Sequence, residues 1–132
     1  MYFLDSLNLT EISFAVVSPG WRIDNPLISV ARTAGIELLS EIDLAWRVKQ
    51  EKAPDQRWLA LTGTNGKTTT VQMAEAMMME SGIQALACGN VGFTAIEAVT
   101  TSKADVLVLE LSSFQLEWSK EAEFESVAIL NI

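Results

Sequence analysis

Gly63-Thr64-Asn65-Gly66-Lys67-Thr68-Thr69 lies between two segments of opposite character. Before it, Trp58-Leu59-Ala60-Leu61-Thr62 is an apolar run that reads as a buried strand. After it, Thr70-Val71-Gln72-Met73-Ala74-Glu75-Ala76-Met77-Met78-Met79 contains neither Gly nor Pro and reads as a helix. Strand, tight glycine turn, Gly-Lys-Thr and helix together make a phosphate cradle. Glycines let backbone N–H groups approach phosphate oxygens, and a helix N-terminus adds unpaired donors and a partial positive charge. On this reading Lys67 sets an ammonium on the terminal phosphates and the Thr68 hydroxyl coordinates Mg²⁺. The spacing is short: the usual pattern puts its first glycine at the position of Leu61, and Gly63 stands two residues later. A glycine-rich β-turn with an incidental Gly-Lys-Thr is the alternative, and the flanking strand and helix argue against it.

The rest of the chain supplies a frame for that loop. Phe14-Ala15-Val16-Val17 is a short apolar run closed by the turn signal Ser18-Pro19-Gly20. Asn25-Pro26 places a capping residue before a first-turn proline, so a helix is expected to about Ala34 with Gly35 as its stop. Ile36–Leu39 reads as a strand, and Ser40 caps a helix through Val48 with only a partial apolar stripe. Gln50 to Gln56 is charged, contains Pro54, and reads as a linker or domain boundary. Beyond it, strands at 58–62, 83–88, 105–111 and 126–132 alternate with helices at 68–81 and 93–101. That alternation implies an α/β domain with a doubly wound, mostly parallel sheet. Ligands bind such sheets beyond the C-terminal ends of the strands, where the loop, Gly89-Asn90 and Glu110 all fall.

Glu110 closes the Val/Leu strand Val106–Leu109. A strand that delivers a carboxylate beside a phosphate loop is suited to Mg²⁺, directly or through water. A solvent-facing strand-end glutamate is the bland alternative. Asn90, within Gly89-Asn90-Val91-Gly92, either serves a ligand or caps the next helix. Glu117 reads as surface. Met77, Met78 and Met79 read as helix and core filler, and Trp21, Trp46, Trp58 and Trp118 as packing residues.

Composition limits the function classes. Of 132 residues, 17 are acidic and 9 basic, for a formal net charge of −8, and the mean hydropathy of +0.24 leaves ample material for a core. No basic stripe exists, which disfavours nucleic acid, and ATP or an anionic substrate must be held by local donors. No histidine is present, which removes the commonest general base and metal ligand. The lone Cys88 excludes an intramolecular disulfide framework and reads as a packed thiol. No apolar run approaches a membrane span or a signal peptide, so the cytoplasm is the expected compartment. The chain stops on an apolar strand without a cap or tail and reads as truncated.

The 63–69 loop resembles the short phosphate loop of the Mur ligase superfamily, which includes folylpolyglutamate synthases. Ser18-Pro19-Gly20 with Asn25-Pro26, Gly89-Asn90-Val91-Gly92, and Glu110-Leu111-Ser112-Ser113-Phe114-Gln115-Leu116-Glu117 are similar, in this order, to its D-glutamate-adding branch. The likeness runs from about residue 13 to the end. It implies an ATP-dependent amide ligase of peptidoglycan biosynthesis, a monomer when full length, acting on ATP, UDP-N-acetylmuramoyl-L-alanine and D-glutamate. In that family ATP phosphorylates the substrate carboxylate, and the amine of D-glutamate attacks the acyl phosphate.

Residue by residue, the resemblance makes Lys67 and Glu110 catalytic and gives Mg²⁺ to Thr68 and Glu110. Gly63, Thr64, Asn65, Gly66, Lys67, Thr68 and Thr69 become the nucleotide cradle, and Gly20, Asn90, Ser112 and Gln115 contact the UDP substrate. Residues 1–52 correspond to the end of a Rossmann-like N-terminal domain, and 53–132 to the first half of a P-loop-type central ATPase domain. The family's uridine-diphosphate loop, metal-binding histidine, carbamylated lysine and D-glutamate-holding C-terminal domain have no counterpart here, so no ligase activity is expected of this chain alone. Another superfamily member, such as a folylpolyglutamate synthase or the diaminopimelate- or lysine-adding ligase, or a non-catalytic nucleotide-binding module, is the alternative.

Overall fold

The computed structural model describes residues 8–132, which form two parallel sheets bridged by one helix. A short 3₁₀ turn at Leu9–Glu11 leads into β1 (Phe14–Val17). The Ser18–Trp21 turn follows, closed by the Trp21 N–H on the Ser18 carbonyl at 3.1 Å. Helix α1 (Pro26–Thr33) starts where the sequence places it, with the Asn25 side chain accepting from the Leu27 N–H at 2.9 Å. Gly35, at φ +75°, turns the chain into β2 (Glu37–Ser40), which pairs in parallel with β1 in the register Val17↔Ser40.

Ser40 ends β2 and caps α2 (Glu41–Lys52) through its hydroxyl, which accepts from the Asp43 N–H at 2.9 Å. The helix runs four residues past the expected end at Val48, because Lys49, Gln50, Glu51 and Lys52 are good helix formers. The segment read as a linker is therefore half helix, and the other half is held. The Lys49 ammonium donates to the Pro54 carbonyl at 2.5 Å. Buried Gln56 donates to the Ala104 carbonyl at 2.9 Å and accepts from the Trp58 indole N–H at 3.1 Å.

The second sheet contains β3 (Arg57–Thr62), β4 (Ala85–Gly89), β5 (Val106–Glu110) and β6 (Ser126–Ile129), all parallel, in the order β4-β5-β3-β6. Helices α3 (Lys67–Glu80), α4 (Ala95–Thr101) and α5 (Ser113–Trp118) alternate with these strands. Every residue of β5 is buried, as expected of a central parallel strand covered on both faces. Its side chains alternate in destination. Val106 and Val108 pack with Leu61, Ala85, Ala87 and Val71 of α3, whereas Leu107 and Leu109 pack with Trp58, Cys88 and residues of α2 and α4. The sheet is doubly wound.

Helix α2 belongs to both sheets. Ile42 and Ala45 enter the core of the larger sheet, against Ala95, Ala98 and Val99 of α4. The buried Asp43 carboxylate accepts the N–H groups of Lys120, Glu121 and Ala122 at 3.0–3.2 Å, fixing the chain beyond α5. On the surface, Arg47 bridges Glu37 of β2 and Glu121. The charge-assisted hydrogen bonds that the buried Asp43 carboxylate accepts are stronger than neutral ones and set a definite orientation.

Two side-chain expectations fail. Met77 and Met79 are exposed, because the stripe of α3 on the sheet is Val71, Ala74 and Met78 at helical spacing. Trp21 is 40 % exposed, and its carbonyl instead receives the Trp118 indole N–H at 2.9 Å. Trp58 and Trp118 are buried, and Trp46 meets Trp58 edge-on with ring centroids 5.3 Å apart. No helix among the described residues is long and apolar enough to cross a membrane.

Cys88 is fully buried, as expected of a packed thiol. Burial first, then the Glu41 and Glu75 carboxylates, pushes it up to about 12 from an ordinary value of 9.0. The folded state thus keeps a proton that the unfolded chain loses. Its contribution is full below the unfolded value and falls by about 1.4 kcal/mol per pH unit as pH rises toward the folded one. Urea midpoints measured from pH 8 to 11 are expected to fall more steeply for the wild type than for Cys88→Ala; parallel curves would contradict this.

Candidate active site

Strand register builds the site. Leu61 pairs with Glu110 across β3 and β5, and Gly89 pairs with Glu110 across β4 and β5. The three strands therefore end level, and the loops leaving them share one edge. Glu110 follows Val106 and Val108 in the two-residue alternation, so it emerges on the α3 side, facing the start of that helix.

The loop leaves β3 at Gly63 and turns into α3 at Gly66, which has φ +78° and serves as N-cap without a side-chain cap. The Thr70 N–H is the first to close a helical bond, on the Gly66 carbonyl at 3.0 Å. The N–H groups preceding it point out of the helix end as donors for an anion. The Lys67 ammonium folds back over the loop, donating to the Gly63 carbonyl at 2.7 Å and more loosely to Thr64 at 3.4 Å. The Thr68 hydroxyl donates to a Glu110 carboxylate oxygen at 2.7 Å. Glu110 is buried, and its other oxygen lies 3.4 Å from the Asn90 amide nitrogen. The structure thus joins Thr68, Glu110 and Asn90 in one cluster, with the Lys67 ammonium held on the adjoining loop.

Asn90 does not cap the following helix. Thr94 does, in a reciprocal capping box with Glu97, which leaves the Asn90 side chain turned toward Glu110. Its backbone N–H also donates to the Glu110 carbonyl at 2.9 Å. Ser112 and Gln115 sit directly after β5 but form a capping box of their own. The Ser112 hydroxyl accepts from the Gln115 N–H at 3.2 Å, and the Gln115 amide oxygen accepts from the Ser112 N–H at 2.9 Å. Gln115 is buried by this role, whereas the Ser112 hydroxyl proton has no acceptor among the described residues. Glu117 is exposed, as expected of a surface position. Gly20 takes no part in the cluster. It lines a separate concavity of about 460 Å³ with Trp21, Arg22, Asp24, Asn25 and Pro26, tied to α5 through Trp118.

Sequence reasoning missed Asn131. Its side-chain oxygen accepts the N–H groups of both Thr64 and Asn65 at 2.9 Å, and its amide nitrogen donates to the Asn65 carbonyl at 3.0 Å. The expected strand 126–132 ends at Ile129, freeing Asn131 to reach the loop. The signal available was a polar amide at the C-terminal end of a strand, the edge where this fold gathers its site.

Gly89 is where the close approach has the least slack. Its φ is +99°, and a Cβ there would lie 2.5 Å from the Glu110 carbonyl oxygen. Gly89→Ala is expected to cost about 1–3 kcal/mol through backbone strain alone, with Glu110 displaced as well. Gly20→Ala, where a Cβ meets nothing within 4 Å, is the near-neutral control. Urea midpoints decide, and equal midpoints for the two variants would refute the constraint.

Comparison with known proteins identifies the family. Residues 61–132 match the family described as the Mur ligase middle domain. A UDP-N-acetylmuramoylalanine–D-glutamate ligase of Thermobifida fusca is 48 % identical over 120 residues, covering 89 % of this chain and 25 % of that protein. The ligase of the same name from Nocardia farcinica is 41 % identical over 132 residues, covering 98 % of this chain and 28 % of its own. A MurF ligase from Thermotoga maritima, solved in complex with ADP, aligns at 17 % identity with a TM-score of 0.43, over 81 % of this chain and 33 % of that one. The chain spans about a quarter of the length of the curated relatives it matches. With more than half of its residues matched to that middle domain, this chain belongs to the Mur ligase family.

Proposed function

We propose that this chain carries the nucleotide- and metal-binding part of an ATP-dependent amide ligase that joins D-glutamate to UDP-N-acetylmuramoyl-L-alanine. The reading takes residues 53–132 as the first half of the ATP-binding domain and 1–52 as the end of the UDP-substrate domain. It places the ligase in the cytoplasm, as a monomer serving peptidoglycan biosynthesis. The observation that carries it is the Thr68–Glu110 contact at the head of α3, with the Lys67 ammonium folded over the same loop.

The donor set fits Mg²⁺. A hydroxyl and a carboxylate are hard oxygen ligands, held within hydrogen-bond distance of each other and partly out of solvent. Among the described residues no three His, Cys, Asp or Glu side chains cluster as a metal cage. That suits an ion which takes one or two protein oxygens and completes its shell with phosphate and water. When bound, Mg²⁺ neutralises charge on the phosphate oxygens. Thr68 and Glu110 would hold it.

The remaining roles follow from position. Lys67 exchanges its carbonyl contacts for phosphate oxygens and offsets the charge that develops as the terminal phosphoryl group moves to the substrate carboxylate. The N–H groups at the start of α3 hold the phosphates without needing to reorganise. Asn90, beside Glu110, and the uncommitted Ser112 hydroxyl orient the UDP substrate, with Gln115 holding Ser112 in place and Gly20 lining the approach. Nothing here needs a nucleophile or a histidine, because positioning and charge neutralisation supply most of the catalysis in such a transfer.

Calorimetry of ATP with this chain is expected to show Mg²⁺-dependent binding. Lys67→Ala should weaken it at least tenfold, about 1.4 kcal/mol, and Glu110→Gln should remove the Mg²⁺ dependence. Equal affinity in folded Lys67→Ala would refute the assignment. Supplied with ATP, D-glutamate and UDP-N-acetylmuramoyl-L-alanine, the chain by itself is expected to release no phosphate. Stoichiometric release that disappears in Lys67→Ala would overturn that expectation.

A further inference from the structure

The contacts of Asn131 divide the phosphate loop into two halves with different work. The first half is Gly63-Thr64-Asn65. Its Thr64 and Asn65 N–H groups both end on the Asn131 side-chain oxygen at 2.9 Å, and the Thr64 N–H also meets the Asn131 carbonyl at 3.3 Å. The second half is Gly66-Lys67-Thr68-Thr69, whose N–H groups are the open donors at the start of α3. The carboxamide oxygen therefore takes, in the first half, the two donors that a phosphate oxygen would otherwise take in such a nest.

We propose that Asn131 is a positioning residue of the nucleotide site. It holds the first half of the loop permanently, and only the Gly66–Thr69 donors serve phosphate. The proposal rests on the nucleotide reading above but concerns a residue to which that reading gives no role. Asn131 donates as well as accepts, giving its amide proton to the Asn65 carbonyl at 3.0 Å. A phosphate oxygen has no proton to give at neutral pH, so displacing Asn131 would leave that carbonyl without its donor. The backbone prevents easy retreat too. The Leu130 N–H is bonded to the Thr62 carbonyl at 3.0 Å, and a Cβ on Gly63 would lie 3.2–3.3 Å from Leu130 and Asn131 atoms. Glycine at 63 lets the two segments pass closely enough for the clamp to close.

The same geometry specifies the amide. Aspartate at 131 would keep both acceptor contacts but turn an oxygen toward the Asn65 carbonyl and add a negative charge beside the phosphate site. Alanine would release Asn65 and leave Thr64 only its longer contact with the main-chain carbonyl of residue 131.

The test is amide-resolved NMR of this chain with and without Mg²⁺-ATP, beside affinities for the variants. Without nucleotide, the Thr64 and Asn65 amides should exchange slowly in the wild type and faster in Asn131→Ala, with the larger change at Asn65, which loses its one acceptor there. With nucleotide, the Gly66–Thr69 resonances should move while Thr64 and Asn65 stay protected and nearly unshifted. Asn131→Ala and Asn131→Asp should each weaken Mg²⁺-ATP binding by about tenfold, the scale of one lost hydrogen bond in a site, with the circular-dichroism spectrum unchanged. A merely structural role would lower stability without this loss of affinity in a folded variant. Fast exchange at Thr64 and Asn65 in the wild type, or shifts there as large as at Gly66–Thr69, would overturn the division. So would unchanged affinity in a folded Asn131→Ala. If the wild type bound no nucleotide, the nucleotide reading would fail, and nucleotide-free exchange would still decide whether the clamp exists. If Asn131→Ala did not fold, exchange in the wild type and the affinity of Asn131→Asp would decide.

Discussion

Parallel pairing of β3 with β5 is the constraint on which the remaining geometry depends. Its register sets Leu61 opposite Glu110, so a loop leaving β3 and a carboxylate ending β5 must lie at the same edge of the sheet. Adding β4 on the far side of β5 brings Gly89 and Asn90 to that edge as well. Parallel strands separated by helices always finish on one side, which is why ligand sites of such folds gather there. The Thr68–Glu110 hydrogen bond is the local result, joining positions 42 residues apart in sequence.

The edge is shared without side-chain redundancy. The cap position of α3 is a glycine with no side chain to offer, so the amide donors of its first turn stay open, whereas α4 and α5 fill theirs with reciprocal capping boxes. A glycine at the N-cap in place of Ser, Thr, Asn or Asp gives up only about a few tenths of a kcal/mol of local stability. In α3 the missing cap coincides with Lys67, Thr68 and the loop, where an anion would replace it. For a chain of net charge −8 this concentration of donors matters, since the overall field repels a nucleotide and attraction must be local.

Support for the site comes from elements outside it. Helix α2 packs on the larger sheet through Ile42 and Ala45 while its Asp43 carboxylate gathers three backbone N–H groups beyond α5. That anchors the segment carrying Ser112 and Gln115 from its far end. Asn131 plays the corresponding part for the phosphate loop, reaching it from beyond the opposite edge strand, β6. Both anchors are polar side chains fully engaged with backbone, an arrangement that fixes one geometry where apolar packing alone would tolerate several.

Much of the frame was legible from residue order. The glycine-lysine-threonine loop, the alternation of strands and helices, the Asn25 and Ser40 caps and the apolar run Val106–Leu109 of β5 are local or periodic signals, and each appears where the chain suggested. Because the pleat repeats every two residues, the same alternation that buries Leu107 and Leu109 on one face also directs Glu110 to the other. Other features depended on what lies far away in sequence. Whether Met77 and Met79 are buried is decided by which stripe of α3 meets the sheet, and whether Asn90 caps a helix or turns toward Glu110 by Thr94 taking the cap first. The charged stretch after Val48 continues as helix and then packs through Lys49 and Gln56, whose partners no local pattern reveals. Asn131 is the sharpest case: nothing within several residues of it marks it as part of the phosphate loop, and its role exists only because β6 lies beside β3. Sequence by itself determined the elements and the chemistry they could hold, since propensity, capping and periodicity act over a few residues. Tertiary structure alone decided which polar groups meet, since hydrogen bonds between distant segments depend on strand order and register.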